Sequence, residues 1–358
     1  MNCFFQKFHV LLILMASLAF GAPEAWAQDK VEIGPVAEVA NLQGPGRAAR
    51  LLEGAKKEGD LTLYHVMPSI DMAPVIEAFT KKYGLNVKTW RASSETVLQK
   101  VITESRGGRF VVDLVENNSP ELEAMHREKL LQAVNSPAQM DVIAEALPEH
   151  KEWMGNTIDV FVQAYNTNLI KKEELPKSYQ DLLDPKWKGR LGIEAADQNW
   201  FALLSQELGL EKVEKLFRSI VEVNGISVRS GHTQLANLVA AGEVPLGLTV
   251  LNYTPPQLKQ KGAPIDSFLL APGIAYFRGI ALLKKSPHPH AAMLFYDFLQ
   301  SEEGQQILLN RSKYPVHKKL TTLKDKTPLK YIDPAKALDN GEKWLKSYEE
   351  IVIKRAKS

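Results

Sequence analysis

Two α/β lobes are what this sequence predicts, and three observations carry the expectation. Its 358 residues suffice for two domains of the usual ~100–200 residues each. The first third alternates strand-like and helix-like apolar spacing in the order βαβαβ, and the second half returns to that theme without repeating the sequence. The 45% hydrophobic and 24% charged composition is that of an ordinary water-soluble globular chain. Lysine and arginine number 44 against 42 acids, a balance that lacks the clustered basic excess a nucleic-acid partner would require.

The elements follow in order. Lys7 in a segment without acids, the apolar run Val10 to Phe20, and Ala25-Trp26-Ala27 are the three parts of a cleaved export signal, 1–27. The run falls short of the roughly 20 residues a spanning helix needs. The one cysteine, Cys3, precedes the run, so it is not placed to carry a lipid anchor. The cleaved chain would hold no cysteine, which excludes disulfides, thiol nucleophiles and thiolate metal sites. Residues 28–58 read as an aperiodic arm, Gln28 to Gly46, and a first helix on Ala48, Leu51, Leu52 and Ala55. Asp60 to Val66 alternates as a strand. Met72, Val75, Ile76 and Phe79 make the next helix, closed by Gly84, and Leu85 to Trp90 a second strand. Ser93 or Ser94 caps a helix on Leu98, Val101 and Ile102, and Phe110 to Val115 is the third strand. Further on, Leu191 to Glu194, Ile226 to Val228 and Leu246 to Val250 are strands, each followed by a polar turn. Lobe 1 is expected over 59–164 with 266–310, and lobe 2 over 165–265 with 311–358. Tyr165-Asn166 and Leu251 to Tyr253 are the expected crossovers. Ligands of such sheets bind outside the carboxyl ends of the strands.

Three ordered strings then carry a resemblance. Asp181-Leu182-Leu183-Asp184-Pro185-Lys186-Trp187-Lys188-Gly189, Ala241-Gly242-Glu243-Val244-Pro245, and Phe298 to Gln305 ahead of Tyr314-Pro315-Val316 resemble periplasmic ABC-transporter solute-binding proteins of the ferric-iron-binding type (extracellular solute-binding family 1). The resemblance covers about Leu61 to Val316. It implies a two-lobed periplasmic binding protein-like (type II) clamshell, each lobe a mainly parallel sheet flanked by helices. Such a protein works as a monomer in the periplasm and hands a captured solute to an importer permease. It needs no cofactor, ferric iron entering only as a transported ligand.

Ferric binders of this type hold iron with a tandem tyrosine pair after the last strand of the second lobe, a histidine after the first strand and a glutamate after the third. This sequence departs from that pattern. The tyrosine pair reads Asn252-Tyr253, the histidine slot falls on Pro68 with His65 nearby, and the glutamate slot falls on Asn118 with Glu116 nearby. A rearranged iron set implied by the resemblance is His65, Glu116, Asp197 and Tyr253. The remaining strand-end turns suggest other ligands. Arg91 could clamp a carboxylate or phosphate or pair with Glu95, beside Ser93 and Ser94. Asp197 and Asn199 open a helix where these proteins bind an anion, with Asp197 as ligand contact or plain N-cap. Trp200 stacks on a solute or packs in the core. Arg229 to Thr233 offers an anion cradle, or capping by Ser230 or Thr233.

The leading expectation is therefore a small polar solute, with ferric iron as the alternative. No Gly-x-Ser-x-Gly elbow, His-Glu-x-x-His helix or phosphate loop occurs in the chain, so it is expected not to be an enzyme. The competing enzyme reading requires Asp197, His232 and Tyr253 to converge as acid and base. His126 and the His288-Pro289-His290 pair read as surface residues.

Overall fold

The computed structural model describes residues 35–321 and 328–354. The export signal expected over 1–27 lies outside them. In the first half, β1 (Leu61–His65), β2 (Val87–Arg91) and β3 (Leu114–Asn118) pair in parallel in the order β2-β1-β3. The crossovers are helices Ser69–Tyr83, closed by Gly84 at φ 70, and Ser94–Arg106. Gly84 is required there because a side chain is strained at positive φ. Ser93, rather than Ser94, is the cap, its side chain accepting from Thr96 N at 3.3 Å.

Two expectations shift. The arm contains a short helix, Pro35–Ala40, whose Val36, Val39 and Ala40 are buried; one and a half turns are too few for periodicity to show. The third strand forms later than the apolar run Phe110 to Val115, and Phe110 is exposed. Buried Asp113, inside that run, accepts from Thr62 N, Ser286 Oγ and His288 N, and the strand starts directly after it. Pairing then carries the strand through the polar Glu116, Asn117 and Asn118. Hydrophobicity located the neighbourhood, but backbone pairing set the ends.

After the two-residue β4 (Leu131–Gln132), β5 (Met154–Asn166) is a 13-residue strand. In the second half β6 (Leu191–Glu194), β7 (Ser227–Arg229) and β8 (Leu246–Leu251) are parallel, as expected. The chain returns through β9 (Ile265–Phe268), the 11-residue β10 (Gly273–Leu283), β11 (Tyr314–Pro315) and β12 (Leu329–Tyr331).

The halves are not separate sheets. Hydrogen bonding is continuous along β2-β1-β3-β10-β5-β8-β6-β7, because β5 and β10, roughly 35–43 Å long at ~3.3 Å per residue, each serve both sides. Antiparallel to β10 over Met154 to Phe161, β5 then pairs with β8 and β9. Tyr165-Asn166 therefore ends the crossing strand instead of making the crossing. Where Arg278/Gly279 face Thr157/Gly155, the register slips past Asn156. Gly279 sits so close that a Cβ would lie 2.7 Å from Met154 O.

Apolar side chains gather in two clusters. One holds Leu51, Phe79, Phe295 and Phe298; the other holds Trp187, Trp200, Phe201, Phe217 and Tyr348. Among the described residues no helix is long and apolar enough to cross a membrane.

Candidate functional site

The carboxyl ends of β1, β2, β3, β6, β7 and β8 carry the polar groups. Register places His65 opposite both Arg91 and Glu116, Asn118 opposite Arg278, and Asp159 opposite Tyr276. The centre of this face is a buried ion pair. Arg278 donates from Nε (3.1 Å) and Nη2 (2.6 Å) to Asp159 Oδ2, to which Tyr276 also donates at 3.3 Å. Glu116 Oε1 lies 3.7 Å from Arg278 Nε. All are buried, where charges survive only in pairs. Burial alone would raise the Asp159 carboxyl and lower the Arg278 guanidinium; the Arg278 and Lys313 charges with the Arg278 and Tyr276 hydrogen bonds together outweigh it for Asp159, and the charges of Asp159, Tyr276 and Glu116 together outweigh it for Arg278, so Asp159 is held below the usual range and Arg278 above it.

Around this pair, Glu116 Oε2 accepts from Val66 N and Met67 N, both at 2.9 Å, and pins the turn after β1. His65 Nδ1 meets Met67 O at 2.9 Å; burial pushes the ring toward the neutral form, against the Glu116 charge. Asn118 Nδ2 donates to Ser94 Oγ. Across the crossing strand, the buried Tyr253 ring lies beneath Lys313 Nζ, 2.8 Å from the ring centre. Burial, and then the Asp159 charge, raise the Tyr253 hydroxyl, so it is a phenol at neutral pH. Burial pushes Lys313 down to about 8 despite Asp71 Oδ2 at 3.3 Å. Asn252 is largely occupied with structure: its N–H donates to Val160 O and its Oδ1 accepts from Val160 N, adding a rung beyond β8.

In the second half Glu194, Asp197 and His232 converge, each offering a ligand atom within 4.8 Å of the others. Glu194 accepts from Ala196 N at 2.5 Å and Gly231 N at 2.8 Å. Of the expected anion cradle at Arg229–Thr233, the Gly231 N–H is thus taken by the protein's own carboxylate, as is the Ala196 N–H just before Asp197. Neither expected cap forms: Asp197 makes no side-chain capping bond to helix Gln198–Leu208, and helix His232–Ala241 starts at Gly231. Asp197 Oδ1 faces His232 Nε2 at 3.4 Å instead. Burial raises the Asp197 carboxyl to about 7 against the pull of His232. For His232 burial works downward, but the charges of Asp197 and Glu194 leave it raised.

Trp200 is a core residue. It is fully buried, with Phe217 at 5.7 Å edge-on and Tyr179 at 6.0 Å, because the first turn of its helix faces the second apolar cluster. Arg91 and Arg229 are exposed at their strand ends, and Asn199 is half-buried. Glu95 is taken by Gln99 Nε2 rather than Arg91. The rearranged iron set does not assemble: His65, Glu116 and Asp197 form no common cluster among the described residues, and Arg278 stands between Glu116 and Asp159. His126 is half-buried, stacked on His150 at 3.8 Å and bound to Glu152, while His288 and His290 pair with Asp113 and Glu58.

Sequence reasoning missed Asp159, Arg278, Tyr276, Lys313, Asp71 and Glu194. A signal existed for two of them. Asp159 is the one charge in Met154–Asn166, and Arg278 the one charge in Gly273–Leu283; an acid and a base alone in two apolar strands are each other's natural partners.

A two-lobed α/β body with polar groups at the strand ends of both halves is the architecture of a protein that closes on a solute. Residues 113–340 match the model of the bacterial extracellular solute-binding protein family, and the chain belongs to that family. All three strings read from the sequence lie within the match. The chain is similar to the Fe(3+)-binding periplasmic protein of Serratia marcescens, 24% identical over 318 residues that span 86% of this chain and 94% of that protein. Its fold matches iron-bound HitA from Pseudomonas aeruginosa with a TM-score of 0.71 and 27% identity, over 82% of this chain and 99% of that one. It also matches AfuA from Actinobacillus pleuropneumoniae, solved with exogenous fructose-6-phosphate, with a TM-score of 0.72 and 21% identity, over 83% and 99%. The protein is the solute-binding component of an ABC importer.

Proposed function

We propose that the chain captures a small polar organic solute between the ends of β1–β3 and β6–β8, catalyses nothing, and presents the solute to a permease in the periplasm as a monomer after cleavage of its signal. One observation carries the reading. Buried polar atoms on the crossing strand and in both halves lack hydrogen-bond partners: Thr157 Oγ1 and Asp159 Oδ1 on β5, Glu116 Oε1 on β3, and Asn252 Nδ2 and Thr254 Oγ1 after β8. Such atoms cost free energy unless something meets them. A bare cation cannot satisfy Asn252 Nδ2, and the Arg278 and Lys313 charges repel one. A solute carrying both donors and acceptors answers the whole set, with an anionic group directed to Lys313 and the exposed Arg91 or Arg229.

The relatives named for ferric iron support a second reading, in which Tyr253 and Tyr276, both beside Asp159, supply phenolates. Native mass spectrometry of the protein as purified separates the two. An organic adduct on a colourless protein is expected. An iron-loaded protein with a visible charge-transfer band, lost in Tyr253→Phe, would overturn the solute reading.

Lobes of 59–164 with 266–310 and 165–265 with 311–358 would move about β5 and β10, since solute contacts from both halves form together only when the cleft is shut. Small-angle scattering with the identified solute should show a smaller radius of gyration at saturation. An unchanged radius would confine the site to one lobe.

A further inference from the structure

The Glu194, Asp197 and His232 cluster is more than a network of self-satisfied side chains. His232 Nδ1 lies 2.9 Å from the Thr249 carbonyl oxygen, which can only accept, so Nδ1 carries a hydrogen and Nε2 is the ring atom that faces Asp197 Oδ1, at 3.4 Å. A metal ion that displaces the proton between them would meet a lone pair from each atom at one point. Asp197 is 4% exposed, and its other oxygen, Oδ2, has no hydrogen-bond partner. Glu194 is held in place by Ala196 N and Gly231 N, and each of its oxygens keeps a second lone pair.

We infer that Glu194, Asp197 and His232 form a binding site for a divalent transition-metal ion of the zinc class, held by two carboxylates and one imidazole with a position left open. Geometry supports the class. With ~2.0–2.1 Å metal bonds to imidazole nitrogen and carboxylate oxygen, a 3.4 Å separation of the two atoms subtends roughly 110°, the tetrahedral angle zinc adopts. An N–H donated to a backbone carbonyl is what usually fixes the ring of a metal-bound histidine. The His232 side chain is 23% exposed, which gives an ion a way in. The cation cradle is built from the second half alone and does not rest on the solute reading.

The test uses chelator-stripped full-length protein titrated with zinc chloride by calorimetry, and with Co(II) as an optical probe. One ion per chain is expected, with the intense visible bands of tetrahedral Co(II). Asp197→Asn and His232→Gln should each weaken zinc by at least about tenfold, or ~1.4 kcal/mol, while His126→Gln leaves it unchanged. Melting curves of each variant check that it folds, and the wild-type cobalt spectrum needs no variant. Absence of a saturable site, or a site lost in His126→Gln instead, would overturn the assignment. Because no solute is present, failure here leaves the solute reading standing, and failure of the solute reading leaves this one standing.

Discussion

Arg278→Met is expected to destabilise the protein by roughly 3–5 kcal/mol in urea unfolding, the usual consequence of removing one member of a buried ion pair. The cause is what remains. Asp159, which takes both guanidinium bonds on Oδ2, and Glu116, whose Oε1 makes no hydrogen bond, would be left as two buried carboxylates near one another with their counter-ion gone. Removing the acid as well, in Asp159→Asn with Arg278→Met, should recover part of the loss, since the uncompensated charge goes with it. A single substitution costing under about 1 kcal/mol would place Arg278 among pairs of negligible worth and would contradict its role as the internal counter-ion of the cleft. Solute affinity should fall in the same variant, because Asp159 and Glu116 would no longer be held for contact.

Trp200→Ala is expected to cost about 3–5 kcal/mol, the range for truncating a large buried aromatic, since the ring fills space between Tyr179 and Phe217. Trp200→Phe should keep the fold and leave solute affinity within about twofold, or ~0.4 kcal/mol. A loss of tenfold or more in the phenylalanine variant, measured by calorimetry with the identified solute, would return Trp200 to the ligand. The pair of variants separates a packing role, which moves stability, from a stacking role, which moves affinity.

The outcome for Trp200 shows where sequence reasoning reaches its limit. A tryptophan one turn into a helix that begins at a strand end can face the cleft or the core, and i, i+3, i+4 spacing describes a helical face without saying which layer that face meets. Asp197 shows the same limit for polar groups. Its position invited the roles of cap and ligand contact, and the structure gives its carboxylate to His232, a residue 35 positions away whose approach depends on β6 and β7 lying side by side. Glu194, the last residue of β6, meanwhile takes the Ala196 and Gly231 N–H groups from the two neighbouring turns, a contact that the local sequence does not show.

The sequence by itself determined the α/β class, the βαβαβ order of β1 to β3, the positions of β6, β7 and β8, and the Ser93 region as a helix start, because each follows from the spacing of apolar residues and from capping chemistry within a few neighbours. It also carried the three strings that identify the family. Only the tertiary structure decided that β5 and β10 join both halves into one hydrogen-bonded path, that Asp159, Arg278 and Glu116 meet at its centre, and that Lys313 covers Tyr253. Asp159 and Arg278 are separated by more than a hundred residues, and their encounter rests on the antiparallel register of two long strands and on the bulge at Asn156. Local periodicity fixes which face of a strand a residue occupies, but a buried charge finds its partner through the pairing of strands distant in sequence, where the low-dielectric interior makes that pairing obligatory.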